Sequence, residues 1–524
     1  MGSAGQTEGV LRSWRDHLPS GSRLEAGDLV AEGTLLRSWA TLWGEAPEAP
    51  VLRDAAPTGS SSLAGLPHRS ETWWSAEEFE AATRRAAGRL ATAGLVPGDR
   101  VLWSTGSSVA SIICHVGALR AGLVVVPANT AYTRGEIDYI VSDVGPAAAI
   151  VDDPVRGQWA SDASGRRLVV AGPDLDLPDG EPLQLDSAEP EDPALICFTS
   201  GTTGAPKGAV LSHRNLLAAT RAVTLAWRWA PTDQLIHCLP VFHAHGLCVG
   251  VYGTLLSGGS ALLLPGFDPG LVADFASTGE ASLFFGVPTM YHRLARSDRA
   301  AELRHLRLCV SGSAPLPADL HRRMEAMTGV SVLERYGMTE TLMNASNPYG
   351  AERRPGTVGF PLPGVDVALA DDGEIKLRGP NVFGGYWERP AATAEAFVDA
   401  DDDGYPWFRT GDLGTIDDGY LTIRGRSKEL IISGGFNVYP SEVEEVVVTH
   451  PGVAEVAVAG TPSEEWGEVV TAWIVADGSA PSVEDLSVYT AERLAAFKRP
   501  RIVHVVGSLP RNALGKVVRS ELGR

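Results

Sequence analysis

The chain has 524 residues and a formal net charge of −20, from 44 Lys+Arg against 64 Asp+Glu. That length supplies core for about two to four domains, and the acidic balance argues against a nucleic-acid scaffold, which carries a basic footprint. The five cysteines are sparse, odd in number and widely spread, which argues against a disulfide framework and points to a reducing, cytoplasmic setting.

Residues 1 to about 70 are rich in Ala, Gly and Ser, with a helical patch near Leu35 to Trp43. From Asp99 onward strands alternate with helices: Val101-Leu102-Trp103, a helix over Val109 to Arg120, Leu123 to Pro127, a helix over Gly135 to Val144, and Ala148 to Val151. This alternation predicts a parallel sheet with right-handed crossovers. It returns after residue 190, with strands at Ile196 to Phe198, Gln234 to Leu239, Ala261 to Leu264, Ser282 to Val287, Leu306 to Val310 and Val332-Leu333. Helices are expected over His213 to Trp229 and Thr289 to Arg296. Beyond residue 355 short strands and Gly turns predict a small β subdomain. From Ser427 the pattern is α+β: a helix at Ser441 to Thr449, strands at Val453 to Val458 and Val469 to Val475, a helix over Val483 to Phe497, and a strand at Ile502 to Val506. The N-terminus shows no secretory pattern, and no apolar run approaches the roughly 20 residues a bilayer needs, so no membrane association is expected.

The strongest local signal is Phe198-Thr199-Ser200-Gly201-Thr202-Thr203-Gly204-Ala205-Pro206-Lys207-Gly208, read as a loop between a strand and a helix. Its glycines let backbone N–H groups turn inward, and its hydroxyls and Lys207 suit a polyphosphate. It is not a Walker A loop, because Lys207 is followed by Gly.

This run resembles the phosphate loop of the adenylate-forming enzymes: acyl-CoA synthetases, luciferases and adenylation domains. Four later motifs match in order. Glu334-Arg335-Tyr336-Gly337-Met338-Thr339-Glu340 is similar to the family's adenine and magnesium segment, and Tyr405 to Asp412 to its ribose-binding element. Gly425 to Glu429 is similar to its hinge, and Pro510 to Lys516 to its catalytic lysine loop. The resemblance implies a large N-terminal domain, residues 1–426, of two doubly wound α/β subdomains and a small β subdomain. A small mobile α+β C-terminal domain, residues 427–524, follows. It implies ATP, Mg²⁺ and coenzyme A as ligands. ATP would meet Thr199 to Gly204, Lys207, Ser313, Ala314, Pro315, Glu334 to Thr339, Asp412 and Arg426. Glu340 and Thr199 would hold Mg²⁺. Lys516 would offset the charge where two anions are joined, with Glu340, Thr199 and His243 completing the catalytic set. Lys428 would be the pivot between two C-domain orientations, and Gly434-Gly435-Phe436 would admit the thiol of coenzyme A.

The acid is addressed by a finer match. Gly286-Val287-Pro288-Thr289-Met290-Tyr291-His292-Arg293 is similar to the malonate-activating members, as are Thr339 to Tyr349 and Gly434 to Pro440. Arg293 would then hold a second carboxylate through its planar fork. His243, Gly337 and Met343 would bound a short pocket, and malonate or methylmalonate would be the substrate. The alternatives are a medium-chain or aryl acyl-CoA ligase, favoured by an exposed Arg293 and a long pocket, and an enzyme that loads a separate carrier protein. A ligase-fold protein acting only by binding is a further alternative. The expected partners are small molecules, with no nucleic acid, and the expected state is a monomer or weak homodimer.

Two other patterns carry less. Cys238, His243, His245 and Cys248 have spacing unlike the usual zinc sites. Asp399 to Gly404 opens like a calcium loop, but Thr410 stands where the bidentate Glu belongs.

Overall fold

A computed structural model of the chain describes residues 11–55, 72–183, 188–199, 206–398, 406–463, 466–491, 493–512 and 515–523. Helices begin where a short polar side chain meets the first free N–H groups. Ser75 and Glu78 form a reciprocal cap on Ala76–Thr92, and Ser212 and Asn215 do so on His213–Ala226. The continuous apolar runs become strands buried on both faces, such as Val124–Pro127 and Ser260–Leu263.

The chain divides into two compact units: Arg12–Asp366 with Arg378–Phe408, and Val367–Leu377 with Arg409–Arg524. The larger unit contains two sheets. One has seven strands, in the order Gly385–Tyr386, Lys207–Ser212, Pro193–Thr199, Val124–Pro127, Arg100–Ser104, Ala148–Val151 and Val169–Ala171. The last five are parallel, as alternation predicted. The other has nine strands, six of them a parallel centre from Pro50–Asp54 through Ser260–Leu263, Gln234–His237, Leu283–Gly286 and Leu308–Ser311 to Leu333–Tyr336. This mixed α/β architecture is the expected one. Among the described residues, no helix is long and apolar enough to cross a membrane.

The smaller unit holds most of the hairpin Trp407–Asp417/Tyr420–Arg426, from Arg409 onward, and an α+β module. Glu374 ties Val367–Leu377 to this unit, because Arg409 Nη2 lies 2.7 Å from its Oε2 and the Gly411 amide donates to Oε1 at 3.0 Å. In the module, Val443 and Val447 of Pro440–Val447 pack with Leu486 against Val458, Val470 and Ile474 of the sheet.

Four local readings are corrected. The Ser/Gly/Thr run joins two antiparallel strands, Pro193–Thr199 and Lys207–Ser212, and the helix starts only after the second. The Lys207–Ser212 backbone is claimed by the ladder, which a loop-to-helix reading leaves out. The helix expected to reach Trp229 ends at Ala226, because Arg228 takes a left-handed φ of +50°. The helix expected to reach Phe497 ends at Ala491, and a short turn, Ala496–Lys498, brings Phe497 back onto the core. The strands expected at Val453 to Val458 and Val469 to Val475 form one long hairpin, Val453–Ser463 with Gly467–Ala476. Cross-strand hydrogen bonds carry its pairing past the apolar run.

Two histidines are buried away from any candidate site. His17 stacks on Phe360 at 4.2 Å and His115 meets the Tyr252 hydroxyl at 2.6 Å. Burial pushes His17 down to about 4 and His115 down to about 3. The unfolded chain therefore binds protons that the native protein refuses, from the ordinary histidine value near 6.5 downward. Stability should fall as pH drops from about 6.5 toward 4. Urea midpoints at pH 7 and pH 5 measure this, and His17→Phe should shrink the difference between them.

Candidate active site

Three groups of side chains carry the predicted chemistry, two in the larger unit and one in the smaller. The first flanks the Ser/Gly/Thr loop. Thr199 and Lys207 are register partners at the mouth of the hairpin, with the Thr199 hydroxyl donating to the Lys207 carbonyl at 3.4 Å. Ser200, Gly201, Thr202, Thr203 and Gly204 lie outside the described residues. Strand Gly385–Tyr386 pairs with Lys207–Ser212 and sets Tyr386 beside the loop, where the Lys207 ammonium stands 5.0 Å from its ring centre. The Tyr386 hydroxyl donates to Glu340 Oε1 at 3.0 Å, and Glu340 is buried. Lys207, Tyr386 and Glu340 are thus linked in one chain of contacts. A carboxylate and a hydroxyl are hard oxygen donors, and Mg²⁺ takes one or two protein oxygens and completes its shell from phosphates and water. Glu340 and Thr199 fit that requirement.

The second group surrounds Arg335. Strand Leu333–Tyr336 alternates its side chains, so Glu334 and Arg335 face opposite ways. Glu334 Oε1 accepts the Leu316 amide at 2.9 Å, which anchors the segment containing Ser313, Ala314 and Pro315. Tyr336 is buried, with its hydroxyl 3.9 Å from the Met338 sulfur. Arg335 is buried, and its Nε and Nη2 have no hydrogen-bond partner among the described residues. Burial holds its guanidinium down to about 9. A Cβ at Gly312 would lie 2.3 Å from Arg335 Cζ, so glycine leaves the space the guanidinium fills. Ser313, at φ +69°, bonds His245 Nδ1 at 3.2 Å. Burial and the Arg335 charge push His243 down to about 4 and His245 well below its ordinary value. Both imidazoles are neutral at pH 7, so they add no positive charge beside Arg335. The chain from His245 to Val251 opens into a π-helical turn, a form common at functional sites. Gly337 closes the group: a Cβ there would meet the Leu342 carbonyl at 2.0 Å and the Met343 sulfur at 3.1 Å.

Arg293 stands elsewhere. It is exposed on the last turn of Pro288–Ala295, with its guanidinium 4.8 Å from the Phe267 ring centre. Among the described residues it makes no ion pair. The motif drew attention to this arginine, whereas the structure buries a different one, Arg335, assigned from the motif to ATP. The signal that could have found it is an arginine inside a short strand, Leu333–Tyr336, that is buried throughout, where a cation is costly.

The third group belongs to the smaller unit. Asp412 is buried and pairs with Arg426 at 2.7 Å across the hairpin in which they are register partners. Desolvation lowers Lys516, as do Arg426 and Arg519, against Glu429 and Asp412. The Lys516 amide is held by Asn512 Oδ1 at 3.0 Å, while Ala513 and Leu514 of the same motif lie outside the described residues. Lys428 is exposed on the turn Ser427–Glu429. Gly434 and Gly435, at φ +58° and +82°, form the two-residue turn between Ile431–Ser433 and Phe436–Val438, and Phe436 is exposed.

Cys238 and Cys248 are buried free thiols whose ionisation burial suppresses. Among the described residues, no cluster of three or more His, Cys, Asp or Glu is placed to hold a metal. The Asp399 to Gly404 segment lies outside the described residues.

The AMP-binding enzyme family matches residues 45–387, and the AMP-binding enzyme C-terminal domain matches residues 442–516. The chain belongs to this family. It is an adenylate-forming ligase of the acyl-CoA synthetase class. It is 38% identical to a feruloyl-CoA synthase of an Amycolatopsis species over 85% of this chain and 93% of the relative. A malonate–CoA ligase of Arabidopsis thaliana is 36% identical over 78% of this chain and 74% of the relative. The crystal structure of ATP-bound MatB from Rhodopseudomonas palustris superposes with a TM-score of 0.84 at 40% identity, covering 93% of this chain and 98% of that one.

A Cβ at position 312 would displace the Arg335 guanidinium. Gly312→Ala is therefore expected to lower turnover of the natural acid at least tenfold while the protein stays folded. Steady-state kinetics with circular dichroism checks this.

Proposed function

We propose that the protein activates malonate with ATP and transfers the malonyl group to coenzyme A, accepting methylmalonate as well. One carboxylate oxygen attacks the α-phosphorus of ATP, and pyrophosphate leaves. The thiol sulfur of coenzyme A then attacks the acyl carbon, its proton is lost, and AMP leaves. The observation carrying the dicarboxylate reading is Arg335, a buried guanidinium with two nitrogens lacking hydrogen-bond partners among the described residues. A buried cation without a counter-ion is costly, and a substrate carboxylate relieves that cost through charge-assisted bonds. Met343, next to Gly337, keeps the site short. The likeness to a malonate–CoA ligase and to MatB supports the same reading.

Lys207 and the hairpin loop serve the phosphates, and Asp412 with Arg426 serves the ribose. Lys516 supplies the ammonium that offsets repulsion between the carboxylate and the α-phosphate. Glu340 and Thr199 would hold Mg²⁺, which neutralises phosphate charge when bound. The Gly434–Gly435 turn passes the thiol.

A second reading is favoured by two observations. Arg293 is exposed, and an aryl-acid relative, the feruloyl-CoA synthase, is 38% identical. Ferulate or another aryl acid would then be the substrate.

A pyrophosphate-release screen with coenzyme A decides between them. Malonate and methylmalonate should turn over, and ferulate and octanoate should not; the reverse pattern overturns the malonate reading. Arg335→Met should raise KM for malonate about 100-fold, the worth of a charge-assisted pair of bonds, and leave turnover of butyrate nearly unchanged. It should not lower the melting temperature, since it removes an uncompensated buried charge. Equal losses on both acids would make Arg335 structural. Arg293→Ala should change KM for malonate far less.

A further inference from the structure

In the larger unit, the segment Pro380 to Tyr386 is attached to the turn Glu340 to Asn344 at three points. The Phe383 amide donates to the Glu340 carbonyl at 2.9 Å, and the Tyr386 hydroxyl donates to the Glu340 carboxylate at 3.0 Å. Asn381 makes the third attachment. Its Nδ2 donates to the Thr341 carbonyl at 2.7 Å and lies 3.2 Å from both the Met343 carbonyl and Asn344 Oδ1. Two of these acceptors are backbone carbonyls, so the amide nitrogen and not its oxygen must face the turn.

The turn needs holding. Leu342 sits at φ +57°, a left-handed conformation that a leucine rarely takes and that persists only where its surroundings impose it. The carbonyls before and after it, those of Thr341 and Met343, converge on the one Asn381 nitrogen. The Leu342 carbonyl lies against Gly337, where a Cβ would be 2.0 Å away, and the Asn344 amide closes the turn on the Tyr336 carbonyl at 3.0 Å. Asn381 is itself fixed from behind. Asn215, in the first turn of His213–Ala226, donates through Nδ2 to the Pro380 and Val382 carbonyls, each at 2.8 Å, while its Oδ1 accepts the Ser212 amide at 2.9 Å. Asn381 is buried, and its Oδ1 has no hydrogen-bond partner among the described residues. A buried amide oxygen left unbonded is costly, and a leucine of the same branched shape carries no such atom. What leucine lacks is the pair of donors.

We infer that Asn381 is a positioning residue for acid selection: by drawing the Thr341 and Met343 carbonyls together it fixes the left-handed turn at Leu342 and so sets where Met343 stands at the end of the acid pocket. This rests on the reading of Met343 as a wall of that pocket. The ATP side is held by other bonds, since Tyr386 keeps the Glu340 carboxylate and strand pairing keeps Tyr336. Loss of the Asn381 donors therefore alters the choice between acids of different length more than it alters the use of ATP.

The test measures kcat/KM in thioester formation for malonate and for succinate, which is one methylene longer, together with KM for ATP. In Asn381→Leu, which keeps the branched shape and removes both donors, the malonate-to-succinate ratio should fall at least about tenfold, the lower end of what one methylene is worth in a pocket, while KM for ATP stays within about threefold. Asn381→Ser, a smaller change in a buried place, should move the ratio the same way and carries the test if the leucine variant does not fold. Met343→Ala should lower the ratio by itself. Adding Asn381→Leu to it should lower the ratio little further, because both changes act on one wall. An unchanged ratio, equal losses on the two acids, or a full further drop in the double variant overturns the inference and makes Asn381 purely structural. If the wild-type enzyme turns over ferulate and not malonate, the malonate reading fails alone. The ferulate-to-benzoate ratio then replaces the first, with the same tenfold change expected. A wild-type enzyme that activates none of these acids ends both readings.

Discussion

Arg335 sets the terms for its surroundings, because a guanidinium held in the interior without a counter-ion among the described residues is far from the state water would give it. Several neighbouring features follow from keeping that cation in place. Gly312 has no side chain because its Cβ would occupy the position of the guanidinium. His243 and His245 remain neutral because desolvation and the Arg335 charge both disfavour a second cation. Ser313 adopts a left-handed backbone and bonds His245, fixing the imidazole beside the cation.

The group around Lys207 is built on a different principle. Its parts are brought together by strand pairing. The ladder between Pro193–Thr199 and Lys207–Ser212 puts Thr199 opposite Lys207, and the added strand Gly385–Tyr386 brings in a tyrosine nearly 180 residues further along the chain. That tyrosine touches both the lysine and Glu340.

Much of this was legible in the residues. The alternation of β-branched runs with amphipathic segments announced parallel sheets, and the five ordered motifs announced the chemistry. The errors share a cause. Lys207–Ser212 looked like a lead-in to a helix because its membership of a sheet depends on Ile196 and Phe198 across the ladder. The helix ends at Ala226 and Ala491 were set by a left-handed residue in one case and by the return of Phe497 to the core in the other. Whether Arg293 faces solvent or a pocket depends on the packing of the helix that carries it, which its motif does not encode.

By itself the sequence determined the class of chemistry, because adenylate-forming chemistry restricts which side chains can act and in what local order. Tertiary structure alone decided which arginine is buried with unpaired nitrogens among the described residues and which tyrosine bonds Glu340. Those outcomes depend on distances between residues far apart in the chain and on the exclusion of water. Neither is encoded in local spacing.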